Sequence, residues 1–295
     1  TGAENTIIGS LCGDALTVGN RNAAVGSYAL TADTKGDRNV AIGYNTLADQ
    51  NFTTSTDVYN TGVGYNAGGA ITTGFQNTIV GGSAGDALTD ADRNVAIGYV
   101  ALSTDTLGGR STAVGYAALG TQNFTSATDT YNTAIGYSAG VSVTTGTNNT
   151  FIGGLAGDGT DDGGNNTAVG QAALSANCGD NNTAIGYRAG VSSTGNLNTF
   201  IGNDCGFNMT SGTKNTILGR YNGNNGEFDM RTLNNHIVLS NGDGLAKGRH
   251  NGSTWRWSAG SFGSALEYDG NQFYPLVDNT TKLGFPNNRW TVVYA

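Results

Sequence analysis

The chain has 295 residues, a formal net charge of −8, and 48 Gly against 2 Pro, with 37% hydrophobic and only 12% charged residues. Gly does not fall at every third position, which excludes collagen. The acidic balance disfavours nucleic acid, whose phosphates call for clustered Lys and Arg, and no apolar run approaches membrane-span length.

From its first residues the chain repeats one phrase: Asn, a small or β-branched residue, any residue, an aliphatic, then Gly. It starts at Asn5, Asn22, Asn39, Asn60, Asn77, Asn94, Ser111, Asn132, Asn149, Asn166, Asn182, Asn198 and Asn215, thirteen copies spaced mostly by 17 residues. A fixed short period is the mark of a stacked solenoid. Disorder is the rival for Gly-, Asn- and Thr-rich sequence, and the unbroken aliphatic–Gly register argues against it. A longer period overlies the short one: Gln50-Asn51-Phe52-Thr53 returns as Gln122-Asn123-Phe124-Thr125, 72 residues on. Four coils therefore form a super-repeat beginning at Asn5, Asn77 and Asn149, the third lacking a four-residue insertion. The expected fold is all-β: a parallel β-solenoid or β-roll rod over residues 1–223, followed by a smaller β-rich C-terminal tip over 224–295. Thirteen layers at about 4.8 Å each give a rod roughly 60 Å long.

Within a coil, strand alternation puts positions two and four on one face. Their stacked β-branched residues are assigned to the interior. Gly at position five marks a sharp turn. The opening Asn is a turn residue or a rung of a side-chain amide ladder. Positions three and six vary together. Where three is bulky (Ile7, Ile79, Phe151, Phe200, Ile217), six is never Tyr; where six is Tyr (Tyr44, Tyr65, Tyr99, Tyr116, Tyr137, Tyr187), three is Ala or Gly. This reads as volume compensation in a shared space. That space is either an interface between chains or the ground above each coil's own Ala. A thin rod with one apolar flank predicts closure into a homotrimer.

Cys12 and Cys205 fill slots where sister coils carry small buried residues, and Cys178 is placed in a loop; no spacing suggests zinc or a disulfide framework. Two long loops, 48–59 and 120–131, begin near Phe52 and Phe124 and end at Tyr59 and Tyr131. They are lateral recognition loops, or widened coils with an aromatic plug. No signal peptide is visible and the chain opens inside a repeat, as a piece of something longer would.

Beyond Gly219 the pattern stops. His236-Ile237-Val238-Leu239-Ser240 is a short strand before the turn Asn241-Gly242-Asp243-Gly244. All three Trp (Trp255, Trp257, Trp290) lie in this part, with Tyr268, Phe273, Tyr274 and Phe285. Such aromatics stack on sugars, anchor interfaces, or form the core of a trimeric cap.

Catalysis finds little support. Glu267 and Asp269, two apart on one strand, are the best acid pair, and exposed strand carboxylates are ordinarily solvated. His236 and His250 lack a nucleophile pattern, and two His do not make a metal site. The oxygen-rich run Asp158-Gly159-Thr160-Asp161-Asp162-Gly163, with its cousin Asp86, Asp90 and Asp92, matches no Ca²⁺ loop pattern and reads as a polar turn. No catalytic residue, metal or cofactor is expected.

Asn-Thr-Ala-Ile-Gly at 132–136 and 182–186 resembles the head repeats of trimeric autotransporter adhesins and similar arrays in phage tail fibres. The resemblance implies a left-handed parallel β-roll in which three chains associate, although the family's usual coil is shorter than 17 residues. Val277-Asp278-Asn279-Thr280, Leu283-Gly284, Asn288-Arg289-Trp290 and Val293-Tyr294-Ala295 are similar to the segment before the self-cleaving intramolecular chaperone of endosialidase-type tail fibres. This second resemblance implies a homotrimer, joined to an upstream fibre segment, whose chaperone and its catalytic residues lie outside this chain. The expected function is that of the structural and receptor-binding part of a virion tail fibre. Its partner is a host cell-surface receptor, a polysaccharide by preference, with no membrane insertion. The candidate contact residues are Arg249, Trp255, Arg256, Trp257, Tyr268, Tyr274, Phe52 and Phe124. A glycan-depolymerising tailspike and a bacterial trimeric adhesin are the alternatives. Ice binding would need regular exposed Thr pairs, and the single Thr column is interrupted by Val and Ala.

Overall fold

The structure is a computed structural model that describes residues 2–226, 228–257, 266–268 and 273–275, with the side chains of Leu266 and of 273–275 excepted. Trp290, Phe285, Asp269 and the segment 276–295 lie outside the described residues. Among the described residues the chain is all-β, without a helix. Three-residue strands stack in register and parallel, rung on rung. Rung 1 opens with Thr6–Ile8, rung 2 with Ala23–Val25, rung 3 with Val40–Ile42, and so on to rung 13, Thr216–Leu218. Ile237–Ser240 adds a fourteenth rung, parallel to the thirteenth with Thr216 opposite Ile237 and Leu218 opposite Leu239. The parallel stack thus runs past residue 223, the expected end of the rod. From there the same sheet continues as an antiparallel meander: Ala246–His250, Trp255–Trp257, Leu266–Tyr268 and Phe273–Pro275.

The opening Asn forms a ladder inside the rod. The backbone N–H of each donates to Oδ1 of the Asn one rung earlier, as in Asn22 to Asn5 (2.8 Å), Asn94 to Asn77 (2.9 Å) and Asn215 to Asn198 (3.0 Å). Each amide Nδ2 typically donates to a carbonyl fourteen residues on, as in Asn60 to Gly74 (2.7 Å) and Asn149 to Gly163 (2.8 Å). Ser111 is too short for this role. There Ser111 Oγ pairs with Thr130 Oγ1 (2.6 Å), Gln122 Nε2 donates to Ser111 Oγ (2.8 Å), and Asn132 Nδ2 donates to Gln122 Oε1 (2.9 Å). His236 closes the ladder, its N–H donating to Asn215 Oδ1 at 2.9 Å.

With Asn at position one buried, alternation forces position three inward and positions two and four outward. The structure therefore corrects the face assignment. Ala24, Ala41, Ile79, Ala96, Phe151 and Phe200 are fully buried, whereas position-four residues such as Ile42, Ile135 and Ile201 are 39–41% exposed. It also corrects the compensation. Positions three and six lie on opposite sides of the wall, and the partner of position three is position nine across the lumen. Leu30, Leu47, Leu102, Leu119 and Leu174 at position nine face Ala at position three; Ile79, Phe151 and Phe200 face Gly85, Gly157 and Gly206. Rungs 4, 8 and 11 are small at both positions, and their neighbours fill them. A Cβ on Gly140 would meet Phe151 of the next rung at 2.9 Å and Leu119 of the previous one at 3.0 Å. This packing cycle has four rungs twice and then three, so the third super-repeat closes at Asn198, one rung earlier than the insertion pattern suggests. Close packing without voids explains the cycle.

Gly at position five is required twice over. Its φ is 132–141° in rungs 1–12, closed to other residues. A Cβ there would also sit 2.2–2.7 Å from the carbonyl oxygen of the corresponding Gly in the next rung. The long loops are tied to the interior. Buried Asp33 accepts from the N–H groups of Gly36 (3.0 Å) and Phe52 (3.1 Å) and from Gln50 Nε2 (2.7 Å). Asp105 does the same with Gly108, Phe124 and Gln122. The loops also add two small parallel pairings, Gly36–Asp37 with Thr56–Asp57 and Gly108–Gly109 with Thr128–Asp129.

Candidate interaction surfaces

Three columns run down the outer face of the long sheet through rung 13: Thr, Val or Ala at position two, Ile, Val or Leu at position four, and at position six Tyr in six of the thirteen rungs. Tyr44, Tyr65, Tyr99, Tyr116, Tyr137 and Tyr187 are 43–62% exposed. They stack on one another where rungs carrying them adjoin: Tyr44 on Tyr65 at 5.5 Å and 8°, Tyr116 on Tyr137 at 5.3 Å and 12°. The rings therefore face outward, neither lying in the lumen nor sharing the space of position three. The Thr column is outward too, but the column beside it is aliphatic, so no regular Thr pairs arise.

The meander carries this outer face onward. Ile237 and Leu239 pair with His250 and Gly248, which pair in turn with Trp255 and Trp257, and Trp255 with Tyr268. Residues paired across neighbouring strands share a face, so Trp257 continues the aliphatic column, while Trp255 and Tyr268 continue the Thr column beside it. Trp255 and Trp257 stack at 5.4 Å and 10°, Trp257 lies against Gly248, and the His250 ring sits 5.0 Å from Trp255. Arg249 and Arg256 belong to the opposite face, in line with buried Val238. Arg256 Nε donates to Glu267 at 2.9 Å, and Arg249 lies 4.2 Å over the Phe228 ring. Burial, followed by the nearby Arg256 charge, lowers the pKa of Arg249. The expected contact set is thus split between two faces. The backbone of Tyr274 lies opposite Glu267, and its side chain is outside the described residues.

Phe52 and Phe124 do not present a surface. They are 8% and 7% exposed and plug their own loops. The exposed aromatics there are Tyr59 and Tyr131, each beneath a guanidinium, Arg38 at 5.4 Å and Arg110 at 5.6 Å. Glu267, expected to be solvated, is 5% exposed and paired with Arg256. His236 contacts the Asn234 carbonyl through Nδ1 at 2.7 Å. Among the described residues no group of three or more His, Cys, Asp or Glu is arranged to hold a metal ion. The acidic turns bond to neighbouring rungs: Thr73 Oγ1 donates to Asp90 (2.6 Å), and the Phe75 N–H to Asp92 (3.0 Å). Burial raises the pKa of Asp86, Asp92 and Asp158. All three thiols are buried and unpaired with one another, including Cys178, and burial pushes Cys205 up to about 12.

One pocket stands apart from these faces. An open cavity of about 370 Å³ lies where rungs 11–13 meet the turn at 241–244, lined by Arg188, Asp204, Phe207, Arg220, Asp243 and Leu245 among others. Sequence reading missed it because its residues come from four separate turns. The usable signal was the change at position six, from Tyr187 to Asn203 and Arg220 in successive rungs. No known protein family, curated protein or solved structure matches the chain.

Proposed function

We propose that the chain is the rod and receptor-presenting part of a homotrimeric phage tail fibre, which attaches a virion to a host cell-surface polysaccharide by binding rather than catalysis. The observation that carries this reading is the outer sheet face. Six half-exposed Tyr rings, each of about 150–250 Å², leave about 600 Å² of aromatic surface uncovered before the aliphatic column is added. That is at the upper limit of the largest apolar patch on an ordinary monomer. A self-complementary face of this kind is covered when identical chains associate about a symmetry axis, and three copies then present three identical ends whose weak contacts combine as avidity. The repeat phrase and the C-terminal sequence resemblance support the fibre assignment. Light scattering on the purified chain tests the assembly: three 30.1 kDa chains give about 90 kDa. A monodisperse monomer at micromolar concentration overturns it. Saturable binding of the labelled protein to intact bacteria, abolished by periodate treatment of the cells, tests the receptor. Shortening of the polysaccharide on incubation would instead assign a depolymerase.

A further inference from the structure

We propose that the pocket at rungs 11–13 is a binding site for a polyhydroxylated monocarboxylate of monosaccharide size, an acidic sugar. The site stands on its own residues and does not need the fibre assignment.

Arg188 and Arg220 flank Asp204 unequally. Arg188 grips Asp204 Oδ1 through Nε at 2.8 Å and Nη2 at 2.7 Å, while Arg220 Nη2 is 3.8 Å from Oδ2. Arg188 is further held between the rings of Tyr187 (4.7 Å) and Phe207 (4.6 Å). Asp204 and Arg188 therefore neutralise one another in a fixed frame. Arg220, whose side chain is 54% exposed, lines the cavity and approaches Asp204 no closer than 3.8 Å, beyond hydrogen-bond distance. A guanidinium fork matches the two oxygens of a carboxylate.

Across the cavity, Asn241 Nδ2 holds the Asp243 carboxylate at 3.1 Å. The turn is set by the Leu245 N–H on Asn241 Oδ1 at 2.9 Å and by Gly244 at φ 80°. Asp243 is an acceptor for hydroxyl donors, and Leu245 and Phe207 supply apolar wall. The two Arg and two Asp in the lining balance, so the pocket carries no net charge to hold a polyanion. One carboxylate for Arg220, hydroxyls for Asp243 and an apolar ring face for Leu245 describe a single ligand class. A volume of about 370 Å³ suits one or two sugar rings and lies at the small end of ligand pockets.

The test is saturation-transfer NMR on the full chain with sodium glucuronate, glucose, acetate and glycine as separate probes. Glucuronate is expected to bind saturably, with each of the other three about tenfold weaker or more. Arg220→Gln and Asp243→Asn should each weaken glucuronate by about tenfold, while Arg21→Gln, at an exposed ion pair on the far end of the rod, leaves it unchanged. Circular dichroism checks that each variant is folded. Equal binding of glucose, acetate or glycine, full glucuronate affinity in Arg220→Gln, loss of it in Arg21→Gln, or no glucuronate binding overturns the proposal. None of these outcomes bears on whether the chain forms a trimer.

Discussion

Removing one rung of the Asn ladder should open the rod locally. Asn77 is fully buried; its Oδ1 accepts the Asn94 N–H at 2.9 Å and its Nδ2 donates to the Ala91 carbonyl at 2.8 Å. In Asn77→Ala both partners remain buried without a bond. Each orphaned group costs about 1–3 kcal/mol, so the loss is about 2–6 kcal/mol, a large part of the roughly 5–15 kcal/mol that holds a domain together. A solenoid distributes stability over neighbouring rungs and need not unfold in one step, so a single melting midpoint is the wrong readout. Hydrogen exchange at residues 91–97 is the right one, and the loss corresponds to about 30- to 20,000-fold faster exchange there. Asn203→Ala, an exposed position-six amide on rung 12, is the control, with an expected change within about 0.5 kcal/mol. Asn77→Ser should behave like Asn77→Ala, since rung 7 tolerates Ser111 only with Thr130 and Gln122 completing the network. Exchange in Asn77→Ala no faster than in Asn203→Ala would refute the view that the ladder holds the rungs together.

Three further outcomes follow from the packing, the titrating groups and the outer face. Ala96→Ile should overpack rung 6 by about 1–3 kcal/mol and Leu102→Gly should empty it by about 2–5 kcal/mol. Together they recreate the pairing of Ile79 with Gly85, so denaturant unfolding should show the double variant less destabilised than the sum of the two; simple additivity would deny that positions three and nine share the lumen. Burial raises the pKa of Asp158, whose Oδ1 has no hydrogen-bond partner, above its unfolded value. Its contribution is therefore most favourable below the unfolded carboxyl pKa and is lost as pH rises through the folded one; Asp158→Asn should flatten that component of the stability-versus-pH profile, and an unchanged profile would count against it. Ile135→Lys places a charge in the middle of the outer aliphatic column, and light scattering should report dissociation while the circular dichroism of the rod persists.

The stacking and its direction were legible because Asn and Gly recur with little variation, and both are set by the backbone. The Asn ladder and the positive-φ turn at Gly are local consequences of that geometry. The face assignment was not legible in the same way. A uniformly aliphatic fourth position looks like core, and a third position ranging from Gly to Phe looks like surface. The reverse holds because interior volume is shared across the lumen with position nine, so Phe151 with Gly157 and Ala168 with Leu174 are equivalent fillings. Reading position three against position nine, instead of position six, would have shown it. The fourteenth rung was hidden because His236 replaces Asn and Ser240 replaces Gly, while the His236 N–H still donates to Asn215 Oδ1 and the Ser240 hydroxyl donates to the Leu218 carbonyl. Phe52 and Phe124 were misplaced for want of their anchors: the Asp33 and Asp105 carboxylates that receive their N–H groups lie 19 residues earlier.

Where recognition can reside follows from the repetition itself. A surface on which Thr, an aliphatic residue and Tyr recur from rung to rung presents many near-equivalent positions, so a small ligand finds no unique seat there, whereas a second copy of the same surface finds register over its whole length. A unique seat needs the repeat to fail. Position six is Tyr187 in rung 11, Asn203 in rung 12, Arg220 in rung 13 and Asn241 in rung 14, so one geometric column passes from apolar to charged and polar within four layers. Rungs 11–13 still fix the backbone, because the ladder bonds from Asn182 to His236 are intact. The backbone that carries the changed side chains is thus held as firmly as that of the repeated ones, which favours a preorganised site. The passage of position six to polar and charged residues beyond rung 11, in a chain whose ladder stays intact, is what separates a ligand pocket from a fraying end.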